Sequence, residues 1–238
     1  MKIFEKAFGK TKPQNSNKRT LGDISRVLDS DYFQSFQDAM IDYSSKNLQS
    51  ALSNINKTIE KADINNWQHY AFRANVYEDL SKYKEAVKNY ETAISYSGDD
   101  VTVYALYHQI GFCYLSLGNN EKAAEFYTYA IELKSQHSNT EFNPDREGMN
   151  MGILLGLPFK RLYNNRANAR KNIGKLNEAV EDCKRSLSYD KNYSNPYLML
   201  SQIYSKAGQE DKAIEFLKIS AQLGNRSALS TLQQLGLL

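Results

Sequence analysis

"YHQIGFCYLSLGNNEKAAEFYTYAIEL", Tyr107 to Leu133, is the stretch that decides how this chain folds. An aromatic opens it, a small residue follows four positions on, and a second aromatic comes three positions later. A Gly turn and a second run built on Ala complete it. The same order returns in "YNNRANARKNIGKLNEAVEDCKRSLSYDKN", Tyr163 to Asn192. A pattern that recurs about every 34 residues marks stacked helical hairpins, each too small to bury its apolar face alone.

Working outward, the unit has an aromatic at position 4, a small residue at 8, an aromatic at 11, Ala at 20, an aromatic or apolar residue at 24 and a small one at 27. Residues 67–100 supply Tyr70, Ala74, Tyr77, Ala86, Tyr90 and Ala93. Residues 104–137 supply Tyr107, Gly111, Tyr114, Ala123, Tyr127 and Ala130. Residues 160–193 supply Tyr163, Ala167, Arg170, Ala179, Cys183 and Ser186, and residues 194–227 supply Tyr197, Ser201, Tyr204, Ala213, Leu217 and Ser220. Positions 4, 8 and 11 share one helix face, and 20, 24 and 27 share a face of the next helix. Small residues let the two helices approach, aromatics fill the space around them, and Gly118, Gly174 and Gly208 sit where the first helix must end. A fifth unit, near 32–66, needs a loop one residue shorter, which turns Phe36, Ala39, Met40 and Tyr43 onto the core face in place of Ser35, Asp38 and Asp42.

These hairpins resemble the tetratricopeptide repeat family over residues 32–238. The resemblance implies an all-α fold: an α-solenoid of about five helix-turn-helix hairpins in a right-handed superhelix, whose first helices line a concave groove. "AQLGNRSALSTLQQLGLL" reads as the closing C-terminal helix, 228–238, with Ala228, Leu232 and Leu235 as its apolar stripe. The segment 138–159, "SNTEFNPDREGMNMGILLGLPF", interrupts the array. It reads as a loop leading into the first helix of the fourth unit, or as a flap, since Ile153, Leu154, Leu155 and Leu157 need burial.

Composition narrows the function. Residues 1–31, a leader expected to be flexible, hold seven Lys/Arg against four Asp/Glu, and the rest holds 23 of each. The body therefore has no basic excess to follow a phosphate track, and no nucleic-acid partner is expected. In the leader, Phe4, Ala7 and Phe8 share a helical face flanked by Lys2, Lys6 and Lys10, which gives residues 1–12 a weak contact with an anionic membrane as an alternative to a plain disordered tail. No apolar run is long enough to span a bilayer, and there is no signal core. The two cysteines, Cys113 and Cys183, form no disulfide framework and read as buried space-fillers, so a cytoplasmic protein is expected. His69, His108 and His137 lack partners at metal or nucleophile spacing, and His69 and His137, at helix ends, read as surface residues. With no phosphate loop and no nucleophile motif, no catalytic residue, metal or cofactor is expected.

What remains is a surface. In the resembled family positions 2, 5, 9 and 12 of each first helix line the groove. The corresponding residues singled out here are Asn75, His108, Phe112, Leu115, Arg161, Asn164, Asn168, Lys171 and Gln202. Asn75, Asn168 and Gln202 share position 9, and a ladder of amides grips a peptide backbone without reading its sequence. Phe112 and Leu115 suggest an apolar pocket, with Arg161 and Lys171 beside it favouring an acidic stretch. The cation-and-amide clamp by which some members hold acidic chaperone tails is matched only in fragments: Asn164, Asn165 and Asn168 fit, Asn195 and Met199 do not. The resemblance implies a scaffold that binds another protein or a peptide. The alternatives are a membrane-tethered adaptor and a receptor for a peptide signal, although no effector domain is found for the latter.

Overall fold

The computed structural model describes residues 31–62, 65–98, 100, 103–136 and 158–238. The helical face of the leader, both readings of the insert, and His137 lie outside the described residues. Among the described residues the chain is an all-helical array of α1 Asp31–Ser44, α2 Leu48–Lys61, α3 Trp67–Asp79, α4 Tyr83–Tyr96, α5 Tyr104–Ser116, α6 Asn120–Gln136, α7 Phe159–Asn172, α8 Leu176–Tyr189, α9 Ser194–Lys206, α10 Glu210–Gln222 and α11 Arg226–Gln234. Each helix packs on its hairpin partner and on the adjoining hairpin, and α11 closes against α10. None of these helices is long and apolar enough to cross a membrane.

The core is a strip of clusters along the stack. Ala71, Ala74, Ala86, Tyr90, Tyr107, Ile110 and Ala130 lie in the largest, with Trp67 partly buried at its edge. Ala167, Ala179, Cys183, Leu200 and Ile203 form the one that joins the fourth and fifth hairpins. Phe36 and Ala39 are buried with Ala51, Ile55, Phe72 and Val76, and Met40 and Tyr43 pack on them. The loop is not shortened, however: Lys46 takes the left-handed position at φ +62 and Asn47 N–H donates to the Asp42 carbonyl at 2.8 Å, the same turn as in the other hairpins, so Ala39 fills the small position 8 in the common register. Each fully buried large side chain of this kind contributes about 1.5–3 kcal/mol. His69 departs from the expectation of a surface histidine: it is 6% exposed. Its ring lies 4.8 Å from that of Phe36, because α1 of the first hairpin covers it.

The turns share one geometry although their sequences differ. Gly118 ends α5 at φ +78, and Asn119 N–H donates to the Tyr114 carbonyl at 2.9 Å. In the second hairpin Ser81 holds the left-handed position at φ +58, and Lys82 N–H donates to Tyr77 at 2.8 Å. A side chain there costs roughly 1 kcal/mol more than Gly.

Two kinds of junction alternate along the array. In the second hairpin Arg73, at position 7, donates to Asn89 Oδ1 (2.7 Å) on α4 and to Asn56 Oδ1 (3.0 Å) on α2. In the fourth, Arg166 at the same position grips Asp182 on α8 through Nε (3.0 Å) and Nη2 (2.7 Å), and Thr128 on α6 at 3.1 Å. Arg170 adds a bond to Asp182 at 2.8 Å, which is how a cation fills an aromatic position. The third and fifth hairpins put Ile110 and Leu200 at position 7, both buried.

Candidate functional site

The nine residues singled out for the groove fall on the first helices α3, α5, α7 and α9, and the structure sorts them by depth. Phe112 (37% exposed), Arg161 and Gln202 are open to solvent. Leu115, Asn168 and Lys171 are half-buried, and Asn75 (4%), His108 (5%) and Asn164 (8%) lie beneath the surface. The expected ladder of open amides is therefore uneven, since Asn75 is turned inward and Gln202 outward.

Hairpin two explains Asn75. The Tyr90 hydroxyl on α4 lies 2.6 Å from Asn75 Oδ1 and 2.9 Å from Glu78 Oε2, both on α3. Gln109 on α5 donates its Nε2 to both Glu78 oxygens at 3.2 Å, and the Cys113 thiol approaches Glu78 Oε2 at 3.8 Å. Gln109 Oε1 is 2.8 Å from His108 Nδ1, and His108 Nε2 is 2.8 Å from Asn165 Nδ2 on α7. A polar chain thus runs from the second hairpin to the fourth. Burial pushes the Glu78 carboxyl up to about 7, opposed by the hydrogen bond from Tyr90 and reinforced by the charge of Asp79. Burial holds His108 down at about 4, with the Arg161 guanidinium acting in the same direction. His108 is therefore neutral at pH 7. Burial pushes both thiols up, Cys183 to about 12, so neither is a reactive thiolate.

Hairpin three places Phe112 and Leu115 where hairpin two has Asn75 and Glu78. The Phe112 ring meets Tyr83 of α4 edge-on at 6.3 Å, and Leu115 packs on Ala123, Tyr127 and Ala169. The buried Tyr127 hydroxyl has no hydrogen-bond partner among the described residues, and the same is true of Asn164 Oδ1.

Helix α7 carries five cations and no carboxylate. Lys160 pairs with Asp190 at 2.7 Å, and Arg166 and Arg170 pair with Asp182 at 2.7 and 2.8 Å. Arg161 and Lys171, on the stripe with Asn164 and Asn168, have no carboxylate partner among the described residues. Lys171 Nζ donates to Gln202 Oε1 on α9 at 2.6 Å, and burial, with Lys206 beside it, pulls its ammonium below the usual lysine range. Sequence reading missed Tyr90, Gln109 and Asn165 as partners. The legible signal was a tyrosine at position 24 above polar residues at positions 9 and 12.

Known proteins bear on this arrangement in two ways. The small glutamine-rich tetratricopeptide repeat-containing protein 2 of Saccharomyces cerevisiae is 30% identical over 109 residues, 45% of this chain and 31% of that protein. The mitochondrial import receptor subunit TOM70 of the same yeast is 27% identical over 160 residues, 67% of this chain and 22% of that protein. The chain thus spans less than a third of the length of either relative over the matched region. Among solved structures, YrrB, described as a TPR protein with an unusual peptide-binding site, superposes with a TM-score of 0.62 at 18% identity, over 90% of this chain and 98% of its own. MamA superposes with a TM-score of 0.63 at 15% identity, over 83% and 93%. Tetratricopeptide repeat models match residues 70–100, 104–137 and 174–235. Those matches cover more than half of the sequence and fall on hairpins of the spacing the repeat needs, so the chain belongs to the tetratricopeptide repeat family.

Proposed function

We propose that the protein is an interaction scaffold that holds an extended segment of another protein against the inner face of its first helices. The observation that carries this reading is Phe112. A large aromatic stands 37% exposed on α5, a helix whose Leu106, Tyr107 and Ile110 are sealed in the core. An aromatic left open beside a half-buried Leu115 is the kind of anchor on which interfaces concentrate their energy. Arg161 and Lys171 lie in the first and last turns of the next first helix, α7, without a carboxylate partner among the described residues, which suits a partner whose apolar residue is followed by acidic ones. YrrB, of the same fold, is described as binding peptide, which supports the reading without identifying the partner.

The test is a peptide array probed with the full chain, followed by affinity and melting measurements on variants. Phe112→Ala should weaken the selected peptide by about 2 kcal/mol or more, as expected of an interface anchor. Asn168→Ala should weaken the same peptide by removing a backbone hydrogen bond. Unchanged affinity in both variants would place the binding face elsewhere.

A further inference from the structure

Hairpin two holds a hydrogen-bonding problem whose solution has a consequence at the inner face. The Tyr90 hydroxyl stands 2.6 Å from Asn75 Oδ1 and 2.9 Å from Glu78 Oε2, yet a phenol has one proton and cannot serve two acceptors. Two arrangements satisfy all three groups. In the first, Glu78 is protonated and donates to Tyr90 Oη, which donates to Asn75 Oδ1. In the second, Glu78 is ionised and accepts a hydrogen bond from the Tyr90 hydroxyl, and Asn75 turns its carboxamide so that Nδ2 donates to Tyr90 Oη. The two ends of a carboxamide have nearly the same shape, so the turn needs no repacking.

The rest of the polar chain keeps one arrangement while its carboxamides stay as they stand. Gln109 donates Nε2 to the carboxyl in either state, so its Oε1 must accept from His108 Nδ1. His108 is neutral and has one N–H, which leaves Nε2 to accept from Asn165. With the Gln109 and Asn165 carboxamides as they stand, the change falls on the trio of Glu78, Tyr90 and Asn75. The groups that face Glu78 are Asp79 on its own helix, Tyr90 on α4, Cys113 and Gln109 on α5, Tyr43 on α1 and Tyr127 on α6. None of them is a cation, and Lys46 of the first hairpin pairs with Asp79 at 3.2 Å.

We propose that the proton on Glu78 decides which end of the Asn75 carboxamide reaches the inner surface, and so whether hairpin two offers a partner a donor or an acceptor. Asn75 is 4% exposed, so the end of its carboxamide turned away from Tyr90 meets the inner surface only at its edge. With Glu78 protonated, that end is the amide N–H₂, which suits a backbone carbonyl. With Glu78 ionised it is the amide oxygen, which suits a backbone N–H. Because burial holds the carboxyl near 7, both states are populated at neutral pH. The switch itself stands on the geometry of hairpin two; its effect on a partner rests on the inner-face reading above.

The experiment is an NMR titration of the intact chain from pH 5 to 9, following the Glu78 side-chain carboxyl carbon and the Asn75 side-chain amide. The expected result is one shared midpoint near neutrality, lost from the Asn75 signal in Glu78→Gln and in Tyr90→Phe. An Asn75 amide that ignores the Glu78 titration, or a Glu78 that titrates in the ordinary carboxylate range, overturns the proposal. In a second arm, the array-selected peptide is bound at pH 5.5 and 8.5. A change of about three- to tenfold, the value of one exchanged hydrogen bond, is expected in the native chain and not in Glu78→Gln. Peptide affinity that is equal at both pH values and unaffected by Phe112→Ala, alongside a coupled NMR titration, would count against the inner-face reading and leave the switch established.

Discussion

The second and third hairpins are built to the same plan and differ in what they do with one hydroxyl. Tyr90 and Tyr127 both occupy position 24, and both are fully buried. Beneath Tyr90 lie Asn75 and Glu78, which engage its hydroxyl at 2.6 and 2.9 Å. Phe112 and Leu115 take those places in the third hairpin, and the Tyr127 hydroxyl has no partner among the described residues. At position 8 the contrast runs the other way. Hairpin two has Ala74, whereas hairpin three has Gly111, where a Cβ would come within 2.8 Å of the Tyr127 ring. The comparison teaches that the repeat fixes the placement of a side chain and leaves its chemistry open. One hairpin becomes a satisfied polar junction, and the next becomes an apolar wall with a buried polar atom unpaired.

The sharpest way to break the comparison is at position 8. Gly111→Val should cost more than about 3 kcal/mol, since the ring of Tyr127 cannot retreat from a branched side chain. Ala74→Gly, its counterpart, should cost only about 1 kcal/mol, from helix propensity and a small void. Urea denaturation of both variants decides this, and equal losses would show that Gly111 is not a close-contact position.

Removing each hydroxyl is the next test. Tyr90→Phe should lose about 1–3 kcal/mol because it leaves Asn75 and Glu78 without a shared partner. Tyr127→Phe should be neutral or slightly stabilising because nothing is left unpaired. Similar losses in the two variants would mean that the Tyr127 hydroxyl has a partner after all.

A third test uses pH. Glu78 has a folded value of about 7 against an ordinary 4.5. Its contribution to stability is therefore fully present below about 4.5 and is lost as pH rises through 7. His108 runs the other way: its folded value of about 4 lies below the ordinary 6.5, so its contribution is lost as pH falls from 6.5 towards 4. In the native chain the two slopes oppose each other between about 4.5 and 6.5. Glu78→Gln should be more stable than the native chain at pH 8.5, by on the order of 1–2 kcal/mol. It should also reveal an unopposed histidine slope in acid. Parallel stability profiles for the two chains would show that Glu78 titrates normally.

The smallest effect is expected at Phe112. Phe112→Ala should change stability by less than about 1 kcal/mol, far below the 3–5 kcal/mol of a buried Phe. A larger loss, read from the melting temperature, would mean that the edge contact with Tyr83 is part of the core.

The hairpins were legible because the spacing of small and aromatic residues is a local property of the sequence; the burial of Phe36 and Ala39 was legible as well, whereas the shorter loop invoked to explain it is absent, since Lys46 and Asn47 make the same turn as the other hairpins. Phe112 was legible too, since it lies one residue past Gly111 and so leaves the packing stripe. Depth at the inner face was not. Asn75 and His108 sit at positions that the repeat assigns to the wall, yet a contact from the adjoining hairpin, Gln109 to Glu78 or Asn165 to His108, decides how far each is covered. Such contacts depend on the stagger between hairpins, which no periodicity within one unit encodes. His69 was misread for the same reason, because the ring that covers it belongs to the unit before.

The lone tryptophan of the chain, Trp67, opens α3 at the edge of the large cluster. In an array whose units touch only their neighbours, fraying begins at an end and travels. An optical signal from indole therefore watches one junction near the front of the stack and is blind to the loss of α9, α10 and α11. Circular dichroism registers every helix that melts. Where the two traces part company on heating, the gap between them measures how many hairpins have peeled from the far end while the first two still hold.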